Sequence, residues 1–259
     1  MSAATTTTAH APRASTPLLT GIWAVAQREL ASYFRQPAGW IVIALMMFLM
    51  GVVFALVVLV PGRPASMRAF FEASGWLLLP VAPAISMRLL AEELRSGTIE
   101  HLCTAPISTA ALILGKYLGA VGFLASMLAP TLALPLLLWI FSDPRPDAGP
   151  VVAGYLCLLL LGMLYLSLGL LASACTTNAT LAFLVTLFAI LGLLLVGGAS
   201  QVAWLPEWAR NTCEGLSTRW RIADFAKGVI DSAHIVYFLT LSALLLLLTG
   251  SMLHLRRAL

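Results

Sequence analysis

The sequence predicts an all-α, polytopic membrane protein with six transmembrane helices, and three observations carry that expectation. Of its 259 residues, 60% are hydrophobic and only 10% are charged, whereas a soluble domain carries about 25% charged residues. The mean hydropathy is +0.95. Six apolar stretches, each near the roughly 20 residues that a bilayer requires, alternate with shorter polar ones.

Residues 1–17 (MSAATTTTAHAPRASTP) are rich in Thr, Ala and Pro and lack the apolar core of a signal peptide. They are expected to form a disordered tail, which leaves 18–259 as one transmembrane domain. Across 18–36, Leu19, Ile22, Trp23, Ala26, Leu30 and Phe34 recur at helical spacing, while Gln27, Arg28, Arg35 and Gln36 are polar. That pattern predicts an amphipathic helix lying in the membrane interface, ended by Pro37.

The first span is expected over 39–60, stopping at the turn Pro61-Gly62-Arg63-Pro64. The second, over 70–90, contains Pro80 and Pro83, which remove backbone donors and predict a kink or local unwinding. The third, over 109–141, contains Pro130 and Pro135. As one helix it would measure roughly 50 Å against a bilayer core of ~30 Å, so it must tilt, kink or project. The fourth and fifth, 150–174 and 179–198, are joined only by Cys175-Thr176-Thr177-Asn178, which predicts an antiparallel hairpin. The sixth covers 235–253. Six spans place both ends of the chain on one side.

Charge leaves the orientation open. The side of the termini would hold Arg13, Arg28, Arg35, Arg88, Arg95, Lys116, Arg256 and Arg257; the other would hold Arg63, Arg68, Arg145, Arg210, Arg219, Arg221 and Lys227. Eight against seven is no bias under the positive-inside rule. The same scatter argues against a nucleic-acid partner, since the 15 Lys and Arg never form a block. Cys103, Cys157, Cys175 and Cys213 lack CxxC spacing and have no His at metal spacing, so neither a disulfide framework nor a metal site is expected.

Two polar segments do not span. The first, 87–106, reads Met-Arg-Leu-Leu-Ala-Glu-Glu-Leu-Arg-Ser-Gly-Thr-Ile-Glu-His-Leu-Cys-Thr-Ala-Pro. Glu92, Glu93 and Arg95 would each cost about 2.5–3.5 kcal/mol or more in lipid. Gly97 permits a sharp turn, Thr98 suits the N-cap of a short helix, and Glu100 favours the positive end of its dipole. Pro106 closes that helix and Ser108 can cap the next. The expected form is a short helix lying across the membrane face between two spans. The second segment, 200–234, carries Trp204, Trp208 and Trp220 at headgroup level. Pro206-Glu207 can open a short helix there and Ser217 can cap another.

The run from Glu92 to Ser108, with Gly115-Lys116-Tyr117 downstream, closely resembles the loop between spans two and three of type 2 ABC exporter permeases. There an acidic-Arg-x-Gly-Thr-x-Glu-x-Leu stretch, a Pro and a Gly-Lys-Tyr/Phe recur together. The resemblance covers about 18–259, and the stretch Phe225-Ala226-Lys227-Gly228-Val229-Ile230-Asp231 looks most like the GldF/NosY-like branch. It implies a cytoplasmic coupling helix that docks on a separate ABC ATPase subunit, with Glu92, Glu93, Arg95, Gly97, Thr98, Glu100 and Pro106 on that element. It also implies a bacterial inner-membrane location with cytoplasmic termini, and short outer-face helices between spans five and six. Two ATPase subunits and a second permease, identical or homologous, would complete the transporter, with room for an accessory outer-face protein. ATP and Mg would sit on the ATPase, leaving this chain without a cofactor.

The residues themselves offer no catalytic set. Gly115-Lys116-Tyr117 lacks the upstream Gly and the following Ser or Thr of a phosphate-binding loop, and HExxH and GxSxG are missing. A permease subunit that is not an enzyme is therefore expected. A secondary carrier or channel is the rival from another class, although such carriers usually hold ionisable groups at mid-membrane depth. A membrane scaffold for a motility or enzyme-maturation complex is a third reading. Gly115 and Gly119, with Gly162, Ser167 and Gly169, would allow close helix packing.

Overall fold

The computed structural model describes residues 18–60, 66–97, 108–143, 146–199 and 206–258. All regular structure among them is helical. Helix α1 (Leu18–Arg35) leads through Gln36 into α2 (Pro37–Val57), with Pro37 at the first helical position, where its missing N–H costs nothing. Next come α3 (Arg68–Ser86) and the one-turn α4 (Ala91–Ser96). Helix α5 (Thr109–Leu128) runs through a 3₁₀ turn (Ala129–Leu132) into α6 (Ala133–Phe141). Then follow α7 (Ala148–Cys175), α8 (Ala179–Ala199), α9 (Glu207–Leu216), α10 (Thr218–Ala226) and α11 (Ser232–Ala258).

Six helical stretches are long and apolar enough to cross a membrane: 37–57, 68–96, 109–141, 148–175, 179–198 and 232–255. They coincide with the six that hydropathy predicts. The most buried are α3 and α7; α2, α8 and α11 keep wide apolar faces outward, including Phe48, Leu56, Phe188 and Leu247. Helix α7 forms the centre, touching α3, α5, α8, α10 and α11. Its small residues let the neighbours close in, as lipid-embedded packing requires.

In the second span the local unwinding expected at the prolines does not occur. Helix α3 runs unbroken through Pro80 and Pro83, and the helical path gives way instead at 87–90. The reason lies in hydrogen-bond competition. The Ser86 hydroxyl donates to the Ala82 and Pro83 carbonyls at 2.8 and 3.3 Å, and the Leu89 amide turns to Ser86 O at 3.1 Å. In the third span the expected irregularity is the 3₁₀ turn at Pro130. Pro135 has no N–H to offer the Thr131 carbonyl, and the Tyr155 hydroxyl of α7 donates to it instead at 2.8 Å.

Helix α1 lies along α5. Glycines at 115 and 119 permit this approach. A Cβ at Gly115 would sit 2.6 Å from Val25 Cβ, and one at Gly119 would sit 2.7 Å from Glu29 Cβ and 3.0 Å from the Ala26 carbonyl. The pair therefore packs against α1 of the same chain. Ser108 caps α5 by accepting the Ala111 amide at 3.2 Å, as expected. Ser217 occupies the N-cap position of α10, but its hydroxyl makes no cap bond; among the described residues it has no partner.

Gly115→Ala and Gly119→Ala are each expected to lower stability by about 1–3 kcal/mol through overpacking. Gly122→Ala is expected to be near neutral, because its methyl would meet Leu30 at an ordinary 3.5 Å. Unfolding of the three variants in bicelles checks the contrast.

Candidate functional site

Glu29 falls on α1 seven residues after Ile22 and three after Ala26, inside the apolar stripe rather than on the polar face. Lys116 lies about two turns into α5, and its side chain is only 3% exposed. Glu93 comes from the first turn of α4. These three converge. The Lys116 ammonium is 3.2 Å from Glu29 Oε2 and 2.8 Å from Glu93 Oε1. Arg28 adds a longer contact to the same Glu93 oxygen, at 3.9 Å. The other Glu93 oxygen is buried without a partner among the described residues. One buried cation thus joins α1, the start of the polar loop and a membrane span.

Helix α4 is held by a second device. At the break after α3, the Leu90 and Ala91 amides both donate to the Ser173 hydroxyl of α7, at 3.0 and 2.9 Å. That hydroxyl donates in turn to the Met87 carbonyl at 3.2 Å. One buried side chain therefore satisfies three backbone groups that a broken helix leaves bare. The Tyr33 hydroxyl of α1 donates to the neighbouring Ile85 carbonyl at 2.9 Å, with its ring stacked on Phe123 at 4.5 Å. Burial, and after it the Glu29 carboxylate, push the Tyr33 phenol far above its ordinary range, so it remains a donor. Gly97 ends α4 in the left-handed region at φ +68°, a conformation open to glycine without steric cost.

The predicted loop residues separate into two kinds. Glu93 turns inward to Lys116, while Glu92, Arg95 and Gly97 are exposed. Glu92 pairs with Arg88 at 3.2 Å, an exposed contact of little energetic weight. Thr98, Glu100 and Pro106 lie outside the described residues, as does the short helix expected around them. The sequence marks Lys116 as one of the scattered basic residues and as part of a motif, and it gives no role to Glu29, Tyr33 or Ser173. A carboxylate in a buried helical register was the one signal that could have exposed Glu29.

On the opposite face a smaller cluster fixes the junction of α9, α10 and α11. The Arg221 guanidinium lies over the Tyr237 ring, 3.6 Å from its centroid. It donates to the carbonyls of Ser217 and Gly215. The Tyr237 hydroxyl donates to Leu216 O at 2.7 Å. Burial lowers the Arg221 pKa from its ordinary value. The Lys227 hydrogen bond at 3.1 Å, with His234 behind it at 3.4 Å, holds the Asp224 carboxyl below the usual range. Of the three tryptophans expected at headgroup level, Trp220 is exposed, Trp204 lies outside the described residues, and so does the side chain of Trp208. Cys157 is buried and Cys175 exposed, and among the described residues neither is in a disulfide. Among the described residues no group of three or more His, Cys, Asp or Glu could hold a metal ion.

Residues 20–214 match the family model described as ABC-2 type transporter, a match running from α1 into α9. The chain belongs to the ABC-2 type transporter family. Over 123 residues this ABC-2 chain is 28% identical to the probable multidrug ABC transporter permease YbhR of Escherichia coli strain K12, and equally so to that of Escherichia coli O157:H7. The aligned part covers 47% of this chain and 32% of each relative, so the chain spans about a third of the length of the curated relatives it matches. The stretch 225–231, which carries the likeness to the GldF/NosY-like branch, lies beyond the residues matched to the ABC-2 family, and neither relative bears that name. The family is one of permease subunits, and six apolar helices make this member a multi-pass membrane protein.

Ser173→Ala is expected to cost about 1–3 kcal/mol for each amide it strands and to speed hydrogen exchange at Leu90 and Ala91. Ser167→Ala serves as the contrast. That hydroxyl only bonds back to Leu164 O within its own helix, so its loss should leave exchange in α4 unchanged.

Proposed function

We propose that this chain is the transmembrane permease subunit of an ATP-driven ABC transporter, and that its 91–106 segment receives movement from a separate ATPase subunit. The observation that carries this reading is the ion pair of Glu93 with buried Lys116. A push on α4 cannot be absorbed locally, because α4 is tied through Lys116 to α5 and α1, and through Ser173 to α7. Glu92, Arg95 and Gly97, exposed on the same turn, form the near edge of the docking surface, and Thr98, Glu100 and Pro106 continue it. Glu93 acts inward, holding that surface to the bundle.

The chemistry of ATP and its Mg belongs to the partner in this reading, and the chain itself is not an enzyme. Two ATPase subunits and a second permease, identical or homologous, complete the working unit, which exports cargo or transmits mechanical work. The α1 face is cytoplasmic, at the bacterial inner membrane. The family match and the charged, tethered loop support this assignment, as does the uncharged middle of the spans, which disfavours ion coupling.

The test is ATP hydrolysis by the ATPase that co-purifies with the chain, reconstituted in nanodiscs with and without it. Glu92→Ala combined with Arg95→Ala, and separately Gly97→Pro, should reduce permease-stimulated hydrolysis about tenfold or more without loss of helical content. Full stimulation and transport in both variants would rule out the coupling role.

A further inference from the structure

On the face opposite α1, a cavity of about 380 Å³ opens between α3, α7, α8 and α10, within the ~300–1,000 Å³ of small-molecule sites. Among the described residues, neither α4 nor the ion-pair cluster lines it. Its rim is polar. Glu72, near the start of α3, and Arg219, at the start of α10, both line it. They do not pair with one another, and among the described residues neither has any other ion-pair partner. Trp76 and Trp220 also line it while remaining 60% and 52% exposed, so the cavity borders the outside of the bundle at the level where indoles favour the membrane interface. Deeper in, Tyr165 and Leu194 make the wall apolar; Tyr165 stands about 25 Å along α7 from its start at Ala148.

We propose that this cavity binds one zwitterionic phospholipid from the leaflet opposite α1. Its ammonium lies at Glu72, its phosphate at Arg219, and the upper part of one acyl chain runs over Tyr165 and Leu194. The two separated charges select this ligand class. An anionic lipid would satisfy Arg219 but face the Glu72 carboxylate, and a cationic amphiphile would face the reverse conflict. A purely apolar molecule would leave both charges without a partner beside a low-dielectric wall. The exposed tryptophans give a lateral way in from lipid, and the volume suits a headgroup and chain stem while the remaining tail stays in the bilayer. The site goes beyond the permease reading and does not depend on it, because binding needs neither ATP nor an ATPase.

The experiment is native mass spectrometry of the full chain released from nanodiscs of phosphatidylethanolamine and phosphatidylglycerol in equal parts. Wild type should retain one phosphatidylethanolamine in preference to phosphatidylglycerol. Glu72→Gln and Arg219→Gln should each weaken that retention about tenfold. Gly75→Leu should abolish it by filling the space, since a Cβ there meets only Leu161 and Ile222, at 3.6 and 3.8 Å. If Gly75→Leu does not fold, the two charge variants, at exposed positions, decide the matter. Soluble phosphoethanolamine, which has the headgroup without the tails, should not displace the lipid. Equal retention of both lipids, unchanged retention in both charge variants, or displacement by phosphoethanolamine would each overturn the assignment.

Discussion

A lysine ammonium that is 3% exposed and sits two turns inside a membrane span is stable only if it is paired, and Lys116 is paired twice. The desolvation cost of an isolated ion there is several kcal/mol, so the two carboxylates are a condition of the fold. They come from separate elements, Glu29 of α1 and Glu93 of α4. Meeting that condition draws α1 against α5 and pins the first turn of the polar loop to the same point. Gly115 and Gly119 then become necessary, because only a bare backbone lets Val25 and Glu29 come so near.

The second constraint is the backbone itself. Within lipid, each carbonyl or amide released from a helix must find another partner. At 87–90 and at Pro135 that partner is a side chain of a neighbouring helix: Ser173, Tyr33 or Tyr155. Each irregularity is therefore also a cross-link between helices. The break after α3 is the most consequential, since one hydroxyl there connects the loop to α7, the centre of the bundle. The charged clamp and the hydroxyl clamp act on the same short helix from two sides, which makes α4 an extension of the spans rather than a free loop.

Much of this was legible in the sequence. Hydropathy measures the cost of leaving a segment in water or lipid, and it placed 109–141 and 179–198 where the helical spans are found. Helical spacing marked α1, and Ser108 was readable as a cap. What stayed hidden depends on tertiary pairing. Pro80 and Pro83 signal a kink or local unwinding, but nothing in the sequence places the end of the helical path at 87–90, where Ser86, Tyr33 and Ser173 supply the competing bonds. The Gly115–Gly119 pair announces close packing without naming α1 as its partner. Glu29 and Lys116 stand 87 positions apart, and nothing local links a carboxylate in one helix to an ammonium in another.

The coupling energy between Lys116 and Glu93 tests the central claim most directly, through a double-mutant cycle of Lys116→Met and Glu93→Gln read by reversible unfolding in bicelles. If the pair holds α4 to α5, the two substitutions should be non-additive by about 1.5 kcal/mol or more, within the ~0.5–3 kcal/mol seen for contacting residues. Additivity to within about 0.5 kcal/mol would mean that the two side chains act independently, and that the loop is not tied to the span through this pair.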